Sequence, residues 1–211
     1  MADFISYLTG HWYLIPVFII LIALTVFMWI KAIVSGQKRK EERERIIAQL
    51  EKEKALRNQF RSLNESMLSD PTIDDERLIF GFAANVQMSI EKLDNMNEEF
   101  TALNEVKQNV YALNYVFEDS KYTSLSDFFR ANGEPLTSIA QRAASDIVGG
   151  EFNEIFTAQF SMLDDNNEEV SFDEKQVELL DNRYCEFMKA QKDNVLRTVA
   201  DYIRKNYNSF M

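Results

Sequence analysis

Apolar residues recur every third or fourth position along most of this chain, and no stretch alternates with period two for long enough to suggest a strand. The first feature is a nearly continuous apolar run over residues 12–34, interrupted mainly by Thr25 and Lys31, with no Asp, Glu, Lys or Arg anywhere in 4–30. At about 1.5 Å rise per residue, ~20 such residues cross a ~30 Å hydrocarbon layer. The pattern therefore predicts a single transmembrane helix, with Tyr7, Trp12, Tyr13 and Trp29 near its two ends. A cleaved signal peptide fits less well, because no Lys or Arg precedes the run and its length exceeds an h-region.

The next segment, residues 37–68, contains no Pro or Gly and is rich in strong helix formers, which predicts one helical stalk. Ile46, Leu50, Leu56, Phe60, Leu63 and Met67 have helical spacing, but Glu53, Lys54 and Arg57 interrupt the seam. A solvated stalk is favoured over a coiled-coil homo-oligomer, which stays open. Beyond Pro71, Thr72 and Asp75 resemble a capping signal ahead of Leu78, Ile79, Phe82, Val86 and Ile90. Asn97 opens a helix carrying Phe100, Leu103, Val106, Val110, Leu113 and Phe117. Ser124 and Asp127 begin a short helix stopped at Asn132-Gly133, and Leu136 to Ile147 form another that Gly149-Gly150 close. Phe152, Ile155, Phe156 and Phe160 follow, then a polar loop at 164–169. Ser171 with Glu174 makes a second capping box before Val177, Leu180, Tyr184 and Met188, and a final helix carries Val195, Val199 and Ile203. The predicted fold is all-α: a membrane anchor (1–35), a basic helical stalk (36–69) and a compact multi-helix bundle (70–211).

Charge sharpens this division. Residues 31–61 hold ten Lys or Arg and five Glu, a net +5, whereas 71–211 hold 13 basic and 26 acidic residues, a net −13. Basic residues follow the apolar run and none precedes it, so the positive-inside rule predicts a single-pass cell-membrane protein with its N-terminus outside and its bundle cytoplasmic. The lipid bilayer is then one expected partner, and an acidic domain repels nucleic acid, so direct nucleic-acid binding is not expected. With His11 the only histidine and Cys185 the only cysteine, histidine triads, disulfides and multi-His metal sites lack their parts.

Val110-Tyr111-Ala112-Leu113, Phe128-Phe129, the 139–149 helix, Leu180-Asp181-Asn182-Arg183-Tyr184 and Tyr202-Ile203-Arg204 occur in an order that resembles the DNA-mimic-protein-like helical domain family, over about residues 100–211. Members of that family usually carry an Asn-Gly-Gly-Phe-x-Gln turn before the paired aromatics; here the stretch reads Tyr122-Thr123-Ser124-Leu125-Ser126-Asp127. The resemblance implies an acidic helical module that works by binding, in at least one case by presenting a DNA-like charge surface to a transcription factor.

Each chemical constellation has a structural reading beside it. Asp164-Asp165-Asn166-Asn167-Glu168-Glu169 has the composition of a calcium loop, but neither register puts Gly at the sharp turn or Glu at the bidentate position, so a solvated loop is expected. Gly149-Gly150 lacks a following Lys-Ser or Lys-Thr and is a helix stop. Phe128-Phe129 reads more readily as core than as ligand site. The expected function is a non-enzymatic, cofactor-free binding or scaffold protein that recruits a cytoplasmic protein partner. Glu168, Glu169, Asp173 and Glu174, with Phe128 and Phe129, are the candidate partner-binding residues. A DNA mimic that sequesters a basic nucleic-acid-binding protein is the first alternative, and a carboxylate-only enzyme the second.

Overall fold

The computed structural model describes scattered positions between residues 20 and 51, and then residues 54–91, 96–163 and 173–211. Two compact units divide the chain, Met1–Ala55 and Leu56–Met211.

In the first unit the described positions are helical and largely exposed, with the Thr25 hydroxyl donating to the Leu21 carbonyl at 2.8 Å. Here the expectation of a transmembrane anchor is corrected. Spanning requires ~20 consecutive apolar helical residues, and among the described residues no helix is long and apolar enough to cross a membrane. From the apolar run these residues include Ile20, Leu21, Leu24, Thr25, Phe27, Met28, Trp29 and Lys31; its other positions lie outside them. The single-pass topology and the cell-membrane location, with its outside N-terminus and cytoplasmic domain, were built on that span and fall with it.

The second unit is all-helical among the described residues. Its elements are α1 (Asp75–Ile90), α2 (Met96–Ala102), α3 (Glu105–Ser120), α4 (Leu125–Ala131), α5 (Leu136–Ala143), α6 (Gly150–Leu163) and α7 (Glu174–Lys205), with 3-10 turns at Glu65–Ser69 and Tyr207–Phe210. Central helix α3 packs against α1, α4, α5 and α7, while α6 lies on α4, α5 and α7. Val110, Leu113, Val116 and Phe117 are buried on α3, as its apolar stripe predicts.

The caps fall differently from the sequence reading. Asp74 caps α1 by accepting from the Arg77 amide at 2.8 Å, while Thr72 donates from its hydroxyl and its amide to Asp70. The helix expected from Asn97 to Phe117 breaks at Leu103 and Asn104, because the Asn104 carboxamide accepts from the Lys107 amide and starts α3. Gln108 bridges this break: its side-chain amide donates to the carbonyls of Phe100, Thr101 and Leu103. Ser171 lies outside the described residues, and Asp173 caps α7 by accepting from the Lys175 amide at 3.0 Å. The two helices expected from 177 to 203 are one, since no Gly or Pro interrupts residues 174–205. Gly149 and Gly150, with φ of 67° and 54°, turn the chain from the π-helical turn Ala144–Val148 into α6.

The predicted stalk helix does not continue to Leu68. It ends after Gln59, and Asn64 starts the Glu65–Ser69 turn by accepting from the Ser66 amide. Phe60 is fully buried in the bundle core, with Leu56, Leu63 and Met67 packed against that core. Four residues read as part of a stalk seam therefore belong to the compact unit. Arg204 closes the same corner, donating to Asp75 at 2.7 Å, Asp201 at 2.9 Å and the Leu68 carbonyl at 3.4 Å.

Candidate functional site

The structure separates the candidate partner-binding residues. Phe128 and Phe129 are buried, with ring centroids 6.1 and 5.2 Å from Phe156, and Phe129 also lies 6.1 Å from Phe160. They are core residues that seat α4 on α6, and their rings are not surface for a partner. Glu168 and Glu169, with the calcium-like loop around them, lie outside the described residues. Asp173 and Glu174 are exposed at the start of α7, where negative charge meets the positive end of the helix dipole.

The Leu180-to-Tyr184 segment is chiefly structural. Tyr184 is fully buried, its hydroxyl 3.0 Å from the Ser120 hydroxyl, and burial pushes its ionisation far above the ordinary tyrosine range. Asp181 caps a helix other than its own. One carboxylate oxygen accepts from the Ser126 amide at 2.9 Å and from the buried Gln159 amide at 3.3 Å; the other accepts from the hydroxyls of Ser126 and Ser124 at 2.6 and 3.1 Å. Ser124, the expected cap of α4, makes no capping bond with its own side chain.

Two residues away in sequence, the other side of α7 faces water. Glu174, Glu178, Asn182 and Glu186 are all exposed and follow one another at i, i+4 steps, so they share a stripe. Leu179, 68% exposed, lies beside this stripe, with Glu186 on its face at i+7 and Lys175, Gln176, Asn182 and Arg183 as its i±3 and i±4 neighbours. Arg183, on the adjoining flank, is occupied by Glu151 and Glu154 of α6 at 3.0 and 3.2 Å, which hold its guanidinium above its usual ionisation range. Leu179, Glu178 and Glu186 were not singled out from the sequence, although the signal is there. Val177, Leu180, Tyr184 and Met188 define the inward side of the helix, and Leu179 falls outside that register.

Chemically, this surface can offer carboxylates and one apolar contact to another macromolecule. Among the described residues no group of three or more His, Cys, Asp or Glu gathers as a metal site. The resemblance to the DNA-mimic-protein-like family rests on the residues quoted from the sequence, since no family model, curated protein or solved structure matches the chain.

Proposed function

We propose that the Leu56–Met211 unit is a non-enzymatic binding module that recruits a basic protein surface to the exposed stripe of α7. The observation that carries this reading is Leu179, a leucine 68% exposed on a 32-residue helix beside an exposed stripe that carries Glu174, Glu178 and Glu186. Protein interfaces draw affinity from an apolar anchor desolvated inside a polar rim. Charges in that rim accelerate encounter and select the sign of the partner. The net −13 over residues 71–211 favours a cationic partner, and four of its carboxylates fall within 164–169, in sequence just ahead of α7.

A photo-crosslinking amino acid at position 179 tests this in the protein's own cells. Adducts with a basic protein are expected, with a yield that falls at least fivefold on changing Glu174, Glu178 and Glu186 to Gln. Adding Glu168→Gln, Glu169→Gln and Asp173→Asn should reduce it further, and Asn at 173 preserves the cap. Raising salt from about 0.1 M to about 1 M, which contracts the screening length from about 10 Å to about 3 Å, should have the same direction of effect. With the crosslinker moved to 182, Leu179→Ser should also cost adducts; if it does not while the charge changes do, the acidic surface acts alone, as in a DNA mimic. Equal adduct yield from a crosslinker at Thr198, or indifference to charge and salt, overturns the reading.

A further inference from the structure

Positive charge gathers on one face of the acidic unit's described residues. An open groove of about 580 Å³ runs between the turn that joins α3 to α4 and the second half of α7. Four of the 13 basic residues in 71–211 line it: Lys121, Lys189, Lys192 and Arg197. Asp193 is its one lining carboxylate among the described residues. Lys189, Asp193 and Arg197 follow at i, i+4 and i+8, so they form one row with a rise of about 6 Å per step.

The four cations differ in state. Lys192 is satisfied: its ammonium lies 3.1 and 3.2 Å from the two Glu76 oxygens and 3.8 Å over the Tyr122 ring. The Tyr122 hydroxyl donates to the same carboxylate at 2.6 Å, and burial together with Glu76 pushes its ionisation far up. Lys121, Lys189 and Arg197 are exposed and make no ion pair among the described residues. Three cations face one concavity against a single carboxylate, Asp193, and this excess of positive charge favours an anion there.

A second observation comes from the backbone. Lys121 and Tyr122 have φ of 49° and 59°, the only non-glycine residues at positive φ among the described residues. Two consecutive side-chain-bearing residues in the left-handed region are strained where Gly or Asn would be relaxed. Surrounding contacts enforce the conformation: the Tyr122 amide donates to the Ser120 hydroxyl at 3.3 Å, and the Tyr122 ring stacks on Phe117 at 5.8 Å. Such strain concentrates at ligand sites. Here it brings one cation from the turn to a groove whose other cations come from α7.

We propose that this groove binds a small molecule bearing a diphosphate-type group, held by Lys121, Lys189 and Arg197. A planar guanidinium donates to two phosphate oxygens at once, and ammonium groups act as point charges beside it. The groove's volume of about 580 Å³ leaves room for more than a single phosphate group. A long polyanion is disfavoured, because beyond the groove it meets an acidic surface.

Cys185, the protein's one cysteine, lines the groove and reports on it. In the full chain at low salt, inorganic pyrophosphate is expected to slow modification of Cys185 by an anionic aromatic disulfide at least fivefold. Calorimetric titration should show pyrophosphate binding at least tenfold tighter than inorganic phosphate. The exposed substitutions Lys189→Gln and Arg197→Gln together should weaken it tenfold or more with an unchanged melting temperature, and Lys121→Asn should weaken it while relaxing the turn. Glu76→Gln, which releases Lys192, should tighten it severalfold. Absence of pyrophosphate binding at millimolar concentration, or binding unchanged in the Lys189 and Arg197 variant, overturns the proposal. So does an oligonucleotide that binds more tightly per phosphate than pyrophosphate, which would indicate an extended nucleic-acid surface.

Discussion

Asp181→Ala is expected to lower the unfolding free energy by about 3–4 kcal/mol, as the sum of two buried donors left without acceptors at ~1–3 kcal/mol each. Those donors are the amide of Ser126, which is buried, and the side-chain amide of the fully buried Gln159. The hydroxyls of Ser124 and Ser126 lie 3.1 Å apart and can pair with each other, so they add little. Asp181→Asn should cost only about 1 kcal/mol, because its carbonyl oxygen still accepts from both amides and its amino group can donate to the hydroxyls. Urea unfolding checks this: at a typical slope of ~1–3 kcal/mol per M, the alanine variant's midpoint should fall by 1 M or more. A loss below 1 kcal/mol for alanine, or an asparagine variant as damaged as alanine, would show that the cap is dispensable. The effect should be felt at the cationic groove as well, because Ser124 adjoins the turn that presents Lys121, Tyr122 and Thr123.

What was legible in the sequence follows from the range of the interaction that decides each feature. The inward residues of α3 were readable because an apolar stripe and its burial repeat within a single helix, as Val110, Leu113 and Phe117 show. Stops at Asn132-Gly133 and Gly149-Gly150 were readable for the same local reason. Features settled by distant partners were not. The cap of α4 comes from Asp181, 55 residues from Ser126, and no spacing rule connects the two. The groove joins Lys121 to Lys189 and Arg197 across the fold, so its cations look scattered along an acidic chain. Continuity of α7 was readable in principle, since nothing between 188 and 195 breaks a helix. The apolar run misled by a different route. Its length and hydropathy satisfied the rule for a span, yet among the described residues no helix is long and apolar enough to cross a membrane. The candidate aromatics split the same way: Phe128 and Phe129 followed the common fate of aromatics in helical bundles and became core.

The compact unit begins at Leu56, ahead of the composition shift near Asp70, and Phe60 gives that boundary a measurable cost. Its ring is fully buried, packs edge-on to Phe82 at 6.1 Å, and occupies the space a Cβ at Gly81 would need. The Phe60 carbonyl also accepts from the Asn85 carboxamide at 2.8 Å, so both ring and backbone are engaged by α1. Phe60→Ala is therefore expected to destabilise by about 3–5 kcal/mol. Gly81→Ala should cost about 1–3 kcal/mol, overpacking against the ring being partly offset by the ~1 kcal/mol that alanine gains over glycine inside a helix. The combination distinguishes this contact from two independent defects. With the Phe60 ring removed, a methyl group at position 81 enters vacated space, and Gly81→Ala should become neutral or stabilising by up to about 1 kcal/mol, a coupling of about 1–4 kcal/mol. A chain beginning at residue 70 lacks the ring altogether and should unfold at a lower denaturant concentration than the 56–211 chain. Additive effects in the double variant, or equal stability of the two truncations, would mean that residues 56–69 do not belong to the core.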